Sequence, residues 1–338
     1  MPQTVIGSLA RIADFEENPY EVSLIDHSAW ATGDYVVGRV TGIRTELYHV
    51  ETCTGDMLPV QSGTLVIGAL GERAATLEGV GSWADVVDGK MNAMTSAGLF
   101  GAFTSISQYM PGPMQLDYCG HVLRDGSKVR MQDFAIRSTA DGFSVPTILL
   151  VGTSMSAGKT VTGRLVCKIL SSAGLKVIAA KLTGAGRYRD IISFKKAGAA
   201  EIYDFVDVGL PSTVVSEEEF RAAIRPLLYY IDRRGADFLV AEAGASPLEP
   251  YNGAAAIEEL GNNIRCTILC ASDPYAVVGV QKAFDLRPDL VAGPATNTAA
   301  AIDLVMKLTG VPGINIVKPE AEIEFCDFLA NTLDVQLT

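Results

Sequence analysis

The sequence predicts an α/β protein of two domains: a three-layer domain with a mostly parallel sheet, preceded by a smaller β-rich α+β domain. Three observations carry this. At 338 residues the chain exceeds what one average core fills and suits two domains. From Thr147 onward, short apolar runs alternate with amphipathic ones, as in strand–helix repeats. Before that point, extended stretches flanked by glycine dominate.

In the second half, strands are expected at Thr147–Val151, Val177–Lys181, Phe238–Ala241, Cys266–Ala271, Leu290–Ala292 and Ile314–Val317. They are nearly continuous in apolar residues, which a parallel sheet covered on both faces requires. Between them, Ser216–Arg234 reads as a helix opening on Ser216 and Glu219 at capping-box spacing. In the first half, extended stretches fall at Tyr35–Val40, Leu47–Thr52 and Thr64–Leu70. Cys119–Met131 reads as a hairpin turning at Asp125-Gly126-Ser127, and Trp83–Ser107 as more helical. A boundary near Asp141-Gly142 gives domains at residues 1–143 and 144–338, the first with a role in specificity or oligomerisation.

A formal net charge of −12 argues against nucleic acid or an anionic membrane as partner, since both need clustered Lys and Arg. No apolar run reaches the roughly 18 residues that cross a bilayer. The opening MPQTVIGSLARIADFEENPYE lacks a basic start followed by an apolar stretch, so a cytoplasmic protein is expected. The six cysteines form no C-x-x-C pair, and several lie in apolar runs, as buried reduced thiols do.

The most informative stretch runs from Thr147 to Thr160, TILLVGTSMSAGKT. A buried strand leads to a turn of small residues and then to a helix beginning near Lys159. Such a turn aims successive backbone N–H groups at one point beside a helix N-terminus, which suits an anion. The loop residues Thr153, Ser154, Met155, Ser156, Ala157 and Gly158 would cradle phosphates. Lys159 would reach the β- and γ-phosphates, and the Thr160 hydroxyl would ligate Mg²⁺. The usual pattern G-x-x-x-x-G-K-[ST] has glycine where Thr153 stands; here Gly152 comes one residue early.

Gly152–Thr160 resembles the loop of dethiobiotin synthetases, G-T-D-x-x-x-G-K-T, which carry threonine at the same position. Ala180-Lys181-Leu182-Thr183-Gly184 resembles their second strand, and Asp237-Phe-Leu-Val-Ala-Glu242-Ala-Gly244 their D-W-V-L-V-E-G-A-G. The resemblance covers about residues 147–318 and implies a P-loop NTPase domain binding ATP and Mg²⁺. It implies that Lys181 faces phosphate and substrate, that Glu242 serves Mg²⁺ and that Asn297 lies against adenine. The loop is also similar to the G-T-D-C-x-V-G-K of an uncharacterised family, some members of which resemble amino-acid N-acetyltransferases.

Asp237 and Glu242 flank one expected strand, about 16 Å apart at its two ends. Ligands of parallel sheets bind at the carboxyl ends of strands, so Glu242 is the metal or water-positioning carboxylate and Asp237 a turn residue. Gly244 could present its N–H to the γ-phosphate. Lys181 ends a strand on the same rim and would stabilise transferring phosphate or hold a substrate carboxylate. Arg187 and Arg189 would read an anionic substrate or offset nearby acids. Asp204 and Asp207 lie in an acidic connection, and Asp273 follows the fourth strand on the site's rim.

No [NT]-K-x-D guanine-reading motif occurs, which favours ATP, and position 153 lacks the lysine of partitioning-type ATPases. All three histidines lie in the first half, so His-base mechanisms are absent from the second. His49, Cys53, Cys119 and His121 could hold zinc, but their spacings fit no common motif and ordinary polar roles are preferred. The expected activity is an ATP- and Mg²⁺-dependent ligase activating a small carboxylate or carbamate by phosphorylation, with Lys159, Lys181 and Glu242 catalytic. The alternatives are a metabolite kinase, a nucleotide-gated switch or metallochaperone, and an N-acyltransferase using coenzyme A. The expected partners are a small anionic or amino-acid-like substrate and a second copy of the chain, as a dimer.

Overall fold

In a computed structural model, the described residues are 4–42, 48–138 and 142–337. Contacts divide the chain into two compact units. The first comprises Met1–Arg137, Ala185–Arg189 and Phe205–Leu227, and the second Ser138–Gly184, Asp190–Asp204 and Leu228–Thr338. Asp141, at the expected boundary, lies outside the described residues.

The second unit holds six parallel strands: β1 (Thr147–Gly152), β2 (Val177–Thr183), β3 (Glu201–Asp204), β4 (Phe238–Ala243), β5 (Ile264–Cys270) and β6 (Leu290–Ala292). Their spatial order is β3-β2-β4-β1-β5-β6, every pair parallel. Every residue of β1, β2 and β4 is buried, so both faces are covered, as their unbroken apolar runs require. α1 (Lys159–Ser172), α4 (Gly253–Leu260) and α7 (Ala321–Leu333) pack on this sheet, and the chain also forms α2 (Tyr188–Lys196), α3 (Glu217–Asp232), α5 (Pro274–Phe284) and α6 (Ala299–Thr309). α3 starts as its sequence predicts, the Ser216 hydroxyl accepting from the Glu219 N–H at 3.2 Å.

Two expectations in this unit are corrected. Ile314–Val317 is not a strand: the chain meets β6 only through the bridge Val291–Gly313 and the flanking bonds from Val291 N–H to Pro312 and from Ile314 N–H to Val291. The Ile314 carbonyl accepts instead from the Thr296 hydroxyl at 2.9 Å and from the Ile316 N–H at 3.1 Å, so the ladder stops. Conversely no strand is expected from sequence at β3, whose last residue, Asp204, opens the expected acidic connection, yet Glu201–Asp204 is a short edge strand paired with β2. An edge strand needs no apolar run, so its Glu and Asp residues hid it.

The first unit is built on a ten-stranded sheet. Within it, Leu65–Leu70, Tyr35–Thr41, Met114–Arg124, Lys90–Thr95 and Leu99–Ile106 pair in succession. Leu99 and Phe100 then pair in parallel with Ala69 and Leu70, closing the set into a barrel. Val36, Val40, Val66, Leu70, Met91 and Phe100 are part of its core. The Asp125-Gly126 hairpin turn forms as expected, both residues at positive φ between the paired Arg124 and Ser127. The helical reading of Trp83–Ser107 is overturned: Lys90–Thr95 and Leu99–Ile106 are antiparallel strands. Its Ala, Met and Leu content favours helix locally, but burial within the sheet decides. Leu47 lies outside the described residues, and His49–Glu51 is a strand.

No helix among the described residues is long and apolar enough to cross a membrane.

Candidate phosphate-binding site

β1 delivers the chain to the loop, and the loop reverses where two residues take left-handed backbone, Ser156 at φ 62° and Gly158 at φ 103°. Gly158 is the N-cap of α1, so the N–H groups of the first turn face the loop. Thr153 does not adopt positive φ. Its N–H instead donates to the Cys270 carbonyl at 3.1 Å, and its hydroxyl accepts from the Ser272 N–H at 3.1 Å. That accounts for threonine in the first-glycine position: the residue continues the strand pairing toward β5 and needs no glycine.

Gly152 is required for a different reason. A Cβ there would run into the Lys159 ammonium and lie 2.9 Å from its Cδ. Lys159 therefore folds back over the end of β1, where its Nζ donates to the Ser154 carbonyl at 2.8 Å. The side chain is only 5 % exposed, and burial pushes its pKa down, opposed by Glu242. A buried ammonium resting on one neutral carbonyl is a site that gains from an anion.

Two further strands, β4 and β2, complete the site. On β4, Glu242 is buried, and its Oε2 accepts from the Thr160 hydroxyl at 3.1 Å. Burial raises the Glu242 pKa, and Lys181 and Lys159 oppose the shift. On β2, Lys181 is buried and is Glu242's register partner across the sheet. Its Nζ donates to Asp190 Oδ2 at 2.7 Å. Burial alone would lower the Lys181 pKa, but Asp190 and Glu242 raise it overall. Glu242 lies inside its strand rather than just after it, because β4 and β2 each run two residues past their expected ends. It remains at the carboxyl end, whereas Asp237 precedes the strand and accepts from the Lys176 N–H at 2.7 Å.

Gly244 and Gly184 flank the Lys181 stem: a Cβ on either would sit 3.3 Å from its Cε. At Gly244 a Cβ would also strike the Thr183 carbonyl, which is backbone and cannot move aside. The two kinds of glycine therefore predict different mutants. Gly152→Ala meets only the end of a flexible lysine, so it should leave denaturant stability near wild type while weakening nucleotide binding by displacing Lys159. Gly244→Ala should cost about 1–3 kcal/mol of unfolding free energy. Equal stability losses in the two variants would contradict this account.

The remaining candidates are less central. Asn297 is exposed on the loop after β6, with its carbonyl held by the Asn315 carboxamide at 3.0 Å. That loop abuts the phosphate loop, since a Cβ on Gly158 would lie 3.4 Å from Gly293 Cα. Asp273 caps α5, accepting from Tyr275 and Ala276 N–H at 2.9 and 3.0 Å, which is a structural duty. Asp207 pairs with Arg11 at 2.7 Å within the first unit, and Asp204 ends β3 in the second. Arg187 and Arg189 are exposed, and the Arg189 N–H donates to Glu51.

The sequence reading missed Asp190 and Thr162. Thr162 donates to the Gly158 carbonyl at 3.1 Å and lies 3.2 Å from the Cys270 sulfur, tying the first turn of α1 to β5. An acid in the first turn of an amphipathic helix, directly after a glycine-rich loop, was the available signal for Asp190. In the first unit, His121 hydrogen-bonds with Tyr118 and with Asp34, the latter at 3.2 Å. The Cys53 and Cys119 thiols point to the backbone carbonyls of Gly7 and Asp117. Among the described residues no three His, Cys, Asp or Glu side chains form a metal-holding group.

Sheet order, loop and helix together define a P-loop NTPase fold. No protein-family model matches the sequence, and no curated protein matches it. Among solved structures, chloroplast FtsY from Physcomitrella patens is similar at 14% identity, over 59% of this chain and 70% of that one, with a TM-score of 0.37. HypB from Helicobacter pylori, solved in complex with nickel, is similar at 15% identity over 56% and 88%, with a TM-score of 0.39. A DUF1611-family protein from Anabaena variabilis is similar at 15% over 58% and 61%, with a TM-score of 0.33. These values are too low to transfer a ligand or an activity.

Proposed function

We propose that the chain binds a magnesium–nucleoside triphosphate at Thr153–Thr160 and acts on its γ-phosphate. The observation that carries this is the gathering of the buried Lys159, Lys181 and Glu242 with the half-buried Thr160 at the carboxyl ends of β1, β2 and β4. The residues fit the ligand. Gly152 and Gly158 leave backbone room, two buried ammonium groups offset phosphate charge, and the Thr160 hydroxyl and Glu242 carboxylate are hard oxygen donors suited to Mg²⁺. Bound Mg²⁺ would supply charge neutralisation at the phosphates. Lys159 and Lys181 would hold the phosphate oxygens, and Glu242 would ligate the metal or orient the attacking group.

Two readings of the outcome share this site. The first is a nucleotide-gated switch. It is favoured by the pairing of Lys159 with Ser154, Thr160 with Glu242 and Lys181 with Asp190, so that loading exchanges internal contacts for contacts to phosphate. The second is a ligase phosphorylating a small carboxylate or carbamate, in which Lys181 would also hold the acceptor. Single-turnover assays separate them: a switch hydrolyses the nucleotide slowly alone, whereas a ligase needs its co-substrates. Slow hydrolysis by the protein alone is the expected result, and hydrolysis that appears only with an added metabolite favours the ligase. The absence of [NT]-K-x-D, and the place of Asn297 in the loop after β6 whose Gly293 abuts the phosphate loop, support adenine as the base. Competition binding should show ATP displacing GTP; equal or reversed affinities would remove Asn297 from the site.

A further inference from the structure

We propose that the Lys181–Asp190 ion pair is a γ-phosphate sensor, in which Asp190 holds Lys181 in the nucleotide-free protein and gives it up to the third phosphate. The inference rests on the nucleotide reading above. Lys181 Nζ donates to Asp190 Oδ2 at 2.7 Å, and the two side chains are unequally exposed, 8% for Lys181 and 23% for Asp190. The asymmetry sets the direction of exchange. A buried ammonium is costly to strip of its anion, whereas the more exposed carboxylate can be rehydrated on leaving. The γ-phosphate is therefore the group that can replace Asp190 at Lys181 with least loss.

The surroundings restrict the exchange to this pair. Two other acids face Lys181: Glu242 has its Oε2 engaged by Thr160, and Asp204, the register partner of Lys181 on β3, is fully buried and cannot be rehydrated as Asp190 can, while Lys159 rests on a neutral carbonyl with no carboxylate to lose. Gly184 and Gly244 confine the Lys181 stem, so its ammonium can change partner without the stem moving far. Asp190 belongs to the first turn of α2, where a carboxylate is favoured by the helix dipole. Loading a triphosphate would thus alter the charge pairing of that turn, and a diphosphate would not.

The test compares full-length variants by calorimetric titration in EDTA, where no metal bridges the phosphates. Asp190→Asn should tighten ATP binding roughly five- to tenfold while leaving ADP affinity unchanged, since only ATP competes with Asp190 for Lys181. Asp190→Glu should restore the wild-type ATP-to-ADP ratio. Lys181→Met should reduce the preference for ATP and make a second change at Asp190 silent, as a double-mutant cycle requires. If Asp190→Asn shifts ATP and ADP together, or leaves the ratio unchanged, Asp190 is only a structural partner and the sensor is refuted. Should Asp190→Asn fail to fold, a wild-type ratio in Lys181→Met refutes it equally. Wild-type protein that binds neither nucleotide would overturn the underlying reading instead.

Discussion

Lys159→Ala is expected to abolish measurable nucleotide binding and to lower turnover on the order of 10²–10³-fold, the effect of removing one donor to developing charge in a buried site. The protein should remain folded. The ammonium is buried against a single neutral carbonyl, and burial pushes its pKa down, so the free protein bears a desolvation cost that alanine removes. A thermal midpoint unchanged or raised, together with lost binding, is the expected pair of results. Calorimetry showing wild-type ATP affinity in the folded mutant would contradict the assignment.

The second large effect separates two acids on one strand. Glu242→Gln should weaken Mg²⁺ affinity by about 10–100-fold, as loss of a metal-site partner does. Asp237→Asn should stay within about twofold of wild type, because its carboxylate accepts from the Lys176 N–H at the opposite end of β4. The pH dependence follows from burial, which raises the Glu242 pKa. As pH falls through that raised value the carboxyl takes up a proton and ceases to bind metal. Mg²⁺ affinity should therefore fail at higher pH than for an exposed carboxylate, and Glu242→Gln should remove that acid limb. Equal losses in the two folded variants would place the metal elsewhere.

The reading of these residues depended on how much of the fold a single sequence exposes. The parallel sheet was legible because β1, β2 and β4 are buried on both faces and so must be apolar throughout. Lys159, Lys181, Thr160 and Glu242 could be placed on one rim for the same reason, since parallel strands present their carboxyl ends together. β3 was not legible, because an edge strand tolerates the acids of Glu201–Asp204. The barrel strands Lys90–Thr95 and Leu99–Ile106 were misread because residues with helical preference are held there by cross-strand packing. Asp190 was missed because its significance is its 2.7 Å contact with Lys181, nine positions earlier, and the loop between β2 and α2 carries no periodic signal of that contact. The role of Gly152 was hidden similarly: the folded Lys159 side chain, rather than the backbone, forbids a Cβ there.

On the proposed function, the backbone of Thr153–Thr160 encloses the phosphates of a nucleoside triphosphate. Hydrogen–deuterium exchange of the wild-type protein, with and without Mg²⁺ and a non-hydrolysable ATP analogue, tests it most directly. Amides of the loop and the first turn of α1 should become strongly protected, while those near Asp237, at the far end of β4, should be unaffected. A saturating analogue that leaves exchange across Thr153–Thr160 unchanged would contradict the claim.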